Sequence, residues 1–557
     1  MERPLRADRW LAATFVLAAV QGLLLARTAW DKSDTADEPY YLATAVLQWG
    51  FGNFQACDAP ALPKWGFAAA LRAVDPRLFD AALTTGRDPL ASRPMEQARW
   101  NLFAGRMATI LVTVGGGLLL FLSARQFGDL AGLVAHALWA FSPSVLANGS
   151  LATLDAWAAS LACLVLWATL RFAHHPSPFG AGAVGAALAL AAACKVTTLG
   201  LVPVAAAVGA WALLGKARRG GRSPGRALGN AALTASTCFL VTLWAVYAGG
   251  FGVVDTSHLC GKTTDLPSHT FGPLPFSPWL EGLLLQFLHG SKGHLSYLFG
   301  EPSGRGWWWF YLACLALKTT LGAQALALVA GAALRLERRT WAQRLADAVI
   351  LAYPLLLLLA MSAGHAQNGI RYILPAFPFG MLWAGRGAEA ARRVFGRRGV
   401  LALSVALGLG TAESVAVHPH HLMFFNLWAG GPVGGPRYLV HGDDWGQDQR
   451  RLGEWQKARR PWRLYYTYYN GDPHRWGVSY EDPPCTPQPG YYALQAVEVH
   501  RPKRLSAGCL DWLTLEAPDD RIGYSIYLYQ VNKDRIERLG RERGTQTPFW
   551  RSGASLP

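Results

Sequence analysis

Long apolar runs separated by short connectors rich in arginine and lysine dominate the chain. Runs of about twenty apolar residues recur along it, and each can cross a bilayer hydrocarbon core of roughly 30 Å. The pattern predicts a polytopic α-helical membrane protein with about 11 transmembrane helices. The predicted spans cover residues 10–27, 101–123, 130–147, 150–171, two helices within 180–215 that meet near Lys195, 227–249, 307–332, 345–364, 370–385 and 400–417.

The basic connectors predict the orientation of these spans. Lysine and arginine cluster at the N-terminus and at residues 216–222, 335–344 and 386–398, and basic residues favour the cytoplasmic side. We therefore predict a cytoplasmic N-terminus, an outward C-terminus, and long outer loops at about 28–100 and 250–306. The first apolar run resembles the core of a signal peptide, but it ends in a poor cleavage sequence and is expected to be retained.

Composition agrees with a membrane protein. Hydrophobic residues make up 52% of the chain and charged residues 16%, whereas soluble proteins carry roughly a quarter charged residues. The net charge of +16 could indicate nucleic-acid binding. Because the excess lies mostly in the connectors, it indicates topology instead, and membrane lipid is the expected partner, with no nucleic acid.

The chain changes character after about residue 430. Polar residues replace the apolar runs, and the alternating stretches at 463–469 and 524–530 are typical of β-strands. The sequence therefore predicts two domains: a transmembrane domain over 1–429 and a small outward-facing soluble α/β domain over 430–557.

The cysteines divide equally between the spans and the outer face. The four on the outer face permit two disulfides in an oxidising compartment. A bridge between Cys485 and Cys509 is expected within the tail, and one between Cys57 and Cys260, which would join the two outer loops, is left open. No cysteine or histidine spacing indicates structural zinc.

Several charged residues converge on the predicted outer face. The adjacent acids Asp37 and Glu38 follow the first span, and Asp155 lies near the outer end of the fourth. Acids at a membrane boundary point to function, although a solvated loop pair is the plain alternative. Carboxylates can accept a proton from a hydroxyl nucleophile, and lysine and arginine can stabilise a phosphate leaving group. The outward cations are Lys64, Arg99, Arg106, Lys195 and Arg371.

These residues lie in ordered motifs: Asp-Glu-Pro-Tyr-Tyr at 37–41, the segment 142–155 that ends at Asp155, Ala-Cys-Lys-Val-Thr-Thr at 193–198, and Arg-Tyr-Ile-Leu-Pro at 371–375. Beyond the spans come the segment 418–426, Ala-Gly-Gly-Pro at 429–432 and Asp-Trp-Gly-Gln-Asp at 444–448. Together they resemble the GT-C glycosyltransferases of the protein O-mannosyltransferase and aminoarabinose-transferase superfamily (glycosyltransferase family 39), including bacterial phospholipid carrier-dependent members.

The resemblance implies a GT-C fold and an inverting glycosyltransferase in the bacterial inner membrane. Such an enzyme transfers a hexosyl or pentosyl group from a polyprenyl-phosphate sugar donor to a hydroxyl acceptor (lipid, glycan or protein) on the outer face. It implies catalytic roles for Asp37, Glu38 and Asp155. The residues expected to bind substrate are Asp58, Lys64, Arg99, Arg106, Lys195, Lys318, Arg371 and Tyr372. The family's Pro-Pro-Leu motif is associated with a metal or phosphate role, and this sequence departs from it with Pro60-Ala61-Leu62. A divalent cation is therefore considered as a cofactor, but no ligands are assigned to it.

Other interpretations remain at this stage. A secondary transporter or flippase for a lipid-linked sugar would place its charges along a path, commonly between internal repeats, and no matching halves are visible. A third interpretation is that the spans only anchor a binding tail, but it gives no role to Asp155 and Arg371. At single positions, Lys318 could pair with a buried carboxylate, and the motif 444–448 could either dock the tail or bind the acceptor.

Overall fold

The computed structural model describes residues 9–80, 90–220, 224–440, 442–468, 471–500, 509–514 and 516–543. Helices dominate the first three quarters of these residues. The helices are α1 (Arg9–Asp31), α2 (Glu38–Phe51), α3 (Ala61–Val74), α4 (Met95–Arg125), α5 (Asp129–Ala140), α6 (Pro143–Gly149), α7 (Asp155–His174), α8 (Pro178–Ala192), α9 (Leu201–Gly220), α10 (Pro224–Val246), α11 (Ser277–Lys292), α12 (Phe310–Lys318), α13 (Leu321–Leu336), α14 (Trp341–Ala363), α15 (Phe377–Ala416), α16 (Gly431–Gly434), α17 (Gln449–Arg459), α18 (Ala496–His500), α19 (Asp511–Thr514) and α20 (Lys533–Arg543).

The apolar helices confirm the predicted class, a polytopic α-helical membrane protein. Among the described residues, 7 helices are long and apolar enough to span a bilayer, and the number rises to 9 if each bent pair forms one span. The bent pairs are α5 with α6, at 58°, and α12 with α13, at 106°. The predicted number of 11 spans includes α8, which has only 15 residues. It also counts the two arms of α15 as separate spans. The number of 11 therefore stays a prediction.

α15 folds back on itself at Gly396. Its backbone there has φ 56° and ψ −135°, a conformation outside the helical region. Gly387 packs against Ala330 of α13, and Gly410 packs against Gly322, so two positions of α15 on either side of Gly396 contact one short stretch of α13. A straight helix would separate these α15 positions by about 35 Å at 1.5 Å per residue. The two arms therefore run beside each other, as predicted for 370–385 and 400–417.

The sharp bend between α12 and α13 is stabilised from outside the two helices. Asn426 donates from Nδ2 to the carbonyl oxygens of Ala316 (2.6 Å) and Thr319 (2.9 Å), and its backbone N–H donates to Leu317 (3.0 Å). The bend interrupts the helical hydrogen bonds that these carbonyls would otherwise accept. One residue of the segment after α15 thus satisfies three carbonyls of the broken helix.

The outer loops carry small sheets and a covalent link. The first sheet contains β1 (Phe251–Asp255), β2 (His258–Leu259), β3 (Lys262–Thr263) and β4 (Thr270–Pro275) in the order β3-β2-β1-β4, and a separate hairpin pairs β5 (Ser296–Leu298) with β6 (Glu301–Ser303). Cys57 is bridged to Cys260, which joins the two long outer loops. The tail contains the second bridge, between Cys485 and Cys509. Both pairings considered from the sequence are therefore present.

The tail is built on a four-stranded sheet. Its strands are β7 (Leu464–Thr467), β8 (Gly490–Gln495), β9 (Asp520–Ile522) and β10 (Ile526–Val531), in the order β7-β8-β10-β9, with β7 parallel to β8 and the other pairs antiparallel. The strands expected at 463–469 and 524–530 are thus present as β7 and β10, although Tyr469 lies outside the described residues. The domain boundary at residue 430 stays a prediction.

Candidate active site

Asp37 stands immediately before α2, where a side-chain oxygen often accepts from the first backbone N–H groups of a helix. Its carboxylate makes no such capping bond. Instead, Asp37 Oδ2 accepts a hydrogen bond of 2.9 Å from Arg371 Nη1. The side chain keeps 35% of its surface exposed, so this carboxylate is held by a cation and remains open to solvent.

Arg371 links Asp37 to a second acid. It lies in the 3-10 helix Ile370–Ala376, and its Nη1 is 3.7 Å from Asp155 Oδ2. Asp155 begins α7, keeps only 6% of its side-chain surface exposed, and is also paired with Lys195 from the turn after α8. Four residues from distant parts of the sequence therefore form one alternating chain of charges, Asp37–Arg371–Asp155–Lys195.

Aromatic side chains surround this chain. The Lys195 ammonium lies 4.8 Å from the centre of the Tyr372 ring, and the Arg371 guanidinium lies 3.9 Å from the centre of the Trp445 ring. Burial raises the pKa of Tyr41 well above its usual range, and the Asp37 carboxylate acts in the same direction. Aromatic faces favour cations and can also stack on a sugar ring.

Glu38 and Arg106 form a fully buried pair behind the site. Arg106 donates to both Glu38 oxygens (2.7 and 2.6 Å) and to the backbone carbonyls of Ala29, Lys32 and Ser33. A guanidinium has five N–H donors, so none remains for a ligand. The structure therefore corrects the donor-binding role expected for Arg106, because the side chain holds the loop before α2 against α4.

Glu38 is equally occupied. Besides Arg106, it accepts hydrogen bonds from the N–H and hydroxyl of Thr35 (2.8 and 3.0 Å) and from the N–H of Ala152 (2.8 Å). A carboxylate with this many donors around it cannot approach a substrate without unfolding the loop. Of the two adjacent acids singled out from the sequence, only Asp37 keeps an exposed edge. The catalytic role expected for Glu38 is corrected to a structural one, because donors of the protein occupy its oxygens.

Asp58 and Lys64 lie further along the same outer loop. Asp58 accepts hydrogen bonds from Tyr40 and Lys262, each 2.5 Å long. Lys64 is buried, and its ammonium donates to the Ala56 carbonyl at 3.1 Å. Burial lowers the pKa of Lys64 to about 8, although Asp58 acts in the opposite direction. Lys64 is thus a cation that can lose its proton near neutral pH.

Two of the cations predicted to bind substrate contact other parts of the protein. Lys318 pairs with Asp443 and donates to the Leu422 carbonyl, both at 2.9 Å, and is fully buried. This is the pairing with a buried carboxylate considered from the sequence, and it corrects the substrate-binding assignment. Arg99 stacks on Trp30, with its guanidinium 3.7 Å from the ring centre, at the outer end of α4.

The described residues do not provide a ready site for a divalent cation. Their one cluster of potential ligands is Cys57, Cys260 and Glu281, whose ligand atoms lie within 4.8 Å of one another. Both sulfurs belong to the disulfide and cannot coordinate as thiolates. The Asp37 and Asp155 carboxylates both contact Arg371, which lies between them. This donor set does not fit a metal, so no catalytic step is assigned to one.

An apolar cavity of about 350 Å³ lies between the 3-10 helix that carries Arg371 and the helices near it. It is lined by Ile373 and Phe377, which closely follow Arg371, and by side chains of α5, α12, α13, α14 and α15 such as Leu138, Leu315 and Leu358. The cavity and the charged chain therefore share one element, the 3-10 helix Ile370–Ala376, which carries both Arg371 and Ile373.

Comparison with known proteins shows what the chain is similar to in sequence and in fold. Residues 98–244 match the family model described as dolichyl-phosphate-mannose-protein mannosyltransferase. The structure is similar to the Saccharomyces cerevisiae protein O-mannosyltransferase Pmt1-Pmt2 complex bound to the sugar donor, with a TM-score of 0.53 and 11% identity over 74% of this chain and 90% of that chain. This chain has the GT-C fold. The resemblance to the protein O-mannosyltransferase and aminoarabinose-transferase superfamily is confirmed.

A second solved structure is similar over a larger share of this chain. ArnT from Cupriavidus metallidurans bound to undecaprenyl phosphate matches 94% of this chain and 98% of that chain, with 13% identity and a TM-score of 0.48. No curated protein sequence matches. The general prediction of a membrane glycosyltransferase related to those with lipid-linked donors is supported.

Two residues of the site were missed in the sequence. Tyr41 belongs to the motif 37–41 and Trp445 to the motif 444–448, but an aromatic residue beside an acid gives no indication of what its ring will contact. The contact of Trp445 with Arg371 joins positions 74 residues apart, and only the folded structure brings them together.

Proposed function

We propose that the protein is an inverting glycosyltransferase that moves a sugar from a polyprenyl-phosphate donor to a hydroxyl acceptor on the outer face of the membrane. The observation that carries this proposal is the position of Asp37. It is a partly exposed carboxylate, held by Arg371 on one oxygen, at the end of a chain of charges that also contains a buried acid and two cations.

The chemistry follows from this geometry. An acceptor hydroxyl donates to the free edge of Asp37, which removes the proton as the acceptor oxygen attacks the anomeric carbon. The bond from that carbon to the donor phosphate breaks on the opposite face, so the configuration inverts. The polyprenyl phosphate leaves with the bonding electron pair, and nearby cations stabilise its charge.

We propose three cations for the donor phosphate, two of them partly exposed and one, Lys64, buried. Arg371 has a buried Nε with no hydrogen-bond partner among the described residues. Lys195 pairs with Asp155 and keeps 16% of its side-chain surface exposed, and Lys64 donates to one carbonyl while an ammonium has three donors. We assign the phosphate to this set, and Tyr372, which contacts both Lys195 and Arg371, to the sugar.

The apolar cavity supports a lipid-linked donor. It is reached from the same 3-10 helix that carries Arg371, and its lining by Ile373, Phe377 and Leu358 suits a branched hydrocarbon chain. A donor with its prenyl units in this cavity has its phosphate near Arg371. A soluble nucleotide sugar would leave the cavity without a purpose.

The test uses purified protein in lipid nanodiscs with undecaprenyl-phosphate-mannose as donor and membranes of the source organism as acceptor. Release of undecaprenyl phosphate is followed by thin-layer chromatography. We expect Asp37→Asn to lower turnover by about 10²–10⁴-fold, because the amide cannot accept the proton. Binding of undecaprenyl phosphate should persist, since the cations remain.

The matched control is Asp80→Asn, an exposed acid of the same outer loop, which should leave turnover unchanged. Full activity of Asp37→Asn would disprove the carboxylate-base mechanism. Movement of the intact donor across the bilayer without release of undecaprenyl phosphate would favour the transporter instead.

A further inference from the structure

Trp445 contacts Arg371 and the backbone of the residue that precedes Asp37. Its ring lies against the Arg371 guanidinium, 3.9 Å from the ring centre. Its backbone carbonyl accepts a hydrogen bond of 3.1 Å from the N–H of Ala36, the residue immediately before Asp37. Trp445 is 5% exposed, so both contacts are shielded from water. Trp445 thus contacts Arg371, one member of the ion pair, and the residue that precedes Asp37, the other member.

The loop that carries Trp445 is fixed by its own side chains. Gln447 accepts from the Trp445 N–H at 2.7 Å through Oε1 and donates to the Asp443 carbonyl at 2.9 Å through Nε2. Gly446 has φ 89°, in the left-handed region that favours glycine. The Trp445 indole is therefore presented by a rigid turn.

The same loop is anchored at both ends. Asp443 pairs with Lys318, and Asp448 pairs with Lys32 while accepting from the Ser525 hydroxyl at 2.7 Å. Lys318 and Lys32 belong to the transmembrane part, whereas Ser525 lies beside strand β10 of the tail. The loop connects the tail sheet to the membrane-spanning helices directly behind the site.

The segment before Asp37 is aligned along this loop. The N–H of Ser33 donates to the Gln447 carbonyl at 3.0 Å, and the Ser33 hydroxyl donates to the Gly446 carbonyl at 2.8 Å. Asp34 is fully buried against Arg475 (2.6 Å) and Trp476 (2.5 Å) of the tail. The backbone leading to Asp37 therefore takes its course from the residues of the tail.

From this we infer that Trp445 is a positioning residue of the active site. Its indole face holds the Arg371 guanidinium where it meets both Asp37 and the donor phosphate, and its carbonyl fixes the backbone that carries Asp37. A cation held over an aromatic face in a shielded site is strongly oriented. The inference rests on the proposed function, because it assigns Arg371 and Asp37 to the same reaction.

The first experiment measures turnover in nanodiscs with undecaprenyl-phosphate-mannose. Trp445→Leu removes the aromatic face but keeps an apolar side chain, and we expect kcat to fall by about 10²-fold, as displacement of a reacting group by about 1 Å does. The KM for the donor should change by less than about threefold, because Lys195 and Lys64 still hold the phosphate. Trp445→Phe restores an aromatic face and should recover most of kcat.

A matched variant separates positioning from loss of packing. Trp512→Leu alters another buried tryptophan of the tail, which packs on Tyr492 at 5.6 Å between ring centres. It should lower the melting temperature without changing kcat per folded molecule. A normal kcat for Trp445→Leu, or equal losses of kcat for the leucine and phenylalanine variants, would overturn the inference.

A second measurement does not depend on activity. Melting temperatures of Trp445→Leu, Arg371→Lys and the double variant form a double-mutant cycle. We expect the double variant to lose less than the sum of the single losses, because the two side chains share one contact. Additive losses would refute the contact. The two proposals can fail separately. If the losses in melting temperature are non-additive but the wild-type protein releases no undecaprenyl phosphate, the contact is supported and only the proposed function is contradicted.

Discussion

Two adjacent carboxylates, Asp37 and Glu38, differ in burial because they have different hydrogen-bond partners. Both stand out in the sequence as acids at a membrane boundary. Glu38 is fully buried and surrounded by donors, whereas Asp37 keeps one edge open. The donors that occupy Glu38 come from Arg106 and Ala152, far along the chain. The sequence could therefore predict where the acids lie, but not which of them is free to react.

The lysine of the first outer loop, Lys64, is expected to make donor binding sensitive to pH if it belongs to the proposed phosphate site. Burial lowers the pKa of Lys64 to about 8, so its charge is lost as the pH rises through about 8. If the ammonium holds the donor phosphate, we expect the KM for undecaprenyl-phosphate-mannose to rise between pH 7 and pH 9. Lys64→Arg keeps its charge over this range and should show a flatter profile.

The linked effect on stability has the opposite sign. The folded protein releases the Lys64 proton near pH 8, whereas the unfolded chain keeps it to about pH 10.4. The unfolded state therefore binds more protons in this window, and the contribution of Lys64 to stability increases with pH. A KM that rises while the melting temperature does not fall would locate the effect at the proposed phosphate site and not in a loss of folded protein. A constant KM would contradict the assignment of Lys64.

Among the elements, the broken span α12–α13 shows how a polar interruption is accommodated. The sequence predicts one span over 307–332, but Lys318, Thr319 and Thr320 lie within it. Lys318 pairs with Asp443 and Asn426 binds the exposed carbonyls. These partners are about a hundred residues away in the sequence, so periodicity alone could not show the break. The polar triplet is the local signal that accompanies it.

Removal of the Asn426 side chain should destabilise this bend. Asn426→Ala removes the Nδ2 donor from the carbonyls of Ala316 and Thr319, which among the described residues then keep only Gln324 Nε2, at 2.9 and 3.3 Å. The loss of a hydrogen bond of this kind costs about 0.5–1.5 kcal/mol. We expect a clear drop in the melting temperature measured in detergent. Asn230→Ala, at an exposed position of α10, serves as the control and should melt like the wild type. Equal melting of both variants would show that water replaces the amide.

For the whole molecule, the basic connectors predict a cytoplasmic N-terminus and an outward tail. Single cysteines at His175, which is exposed after α7, and at Ala458, which is exposed near the end of α17, should react with a membrane-impermeant maleimide on opposite sides of sealed vesicles. We expect Ala458→Cys to label from the outer face and His175→Cys to label only after permeabilisation. Labelling of both from one side would contradict the predicted topology.

The overall class followed from the sequence because hydropathy and charge are local properties of a segment. Pairing between distant segments is not local. Lys32 with Asp448, and Asp34 with Arg475, join the end of the first span to the tail, and neither pair has a periodicity that identifies it. From the sequence, the motif 444–448 is compatible both with docking of the tail and with acceptor binding. Its observed contacts bind the tail to the loop before Asp37.

These contacts also bear on the order in which the protein is made. The backbone preceding Asp37 is aligned by residues 445–448 and by Arg475 and Trp476, which the ribosome adds some four hundred residues later. Until then, the early helices can enter the bilayer while the loop at Asp37 still lacks its partners. If Asp37 is the base of the proposed reaction, a nascent chain is expected to remain inactive until residues 445–476 have been made, because only then does the backbone before Asp37 have its partners.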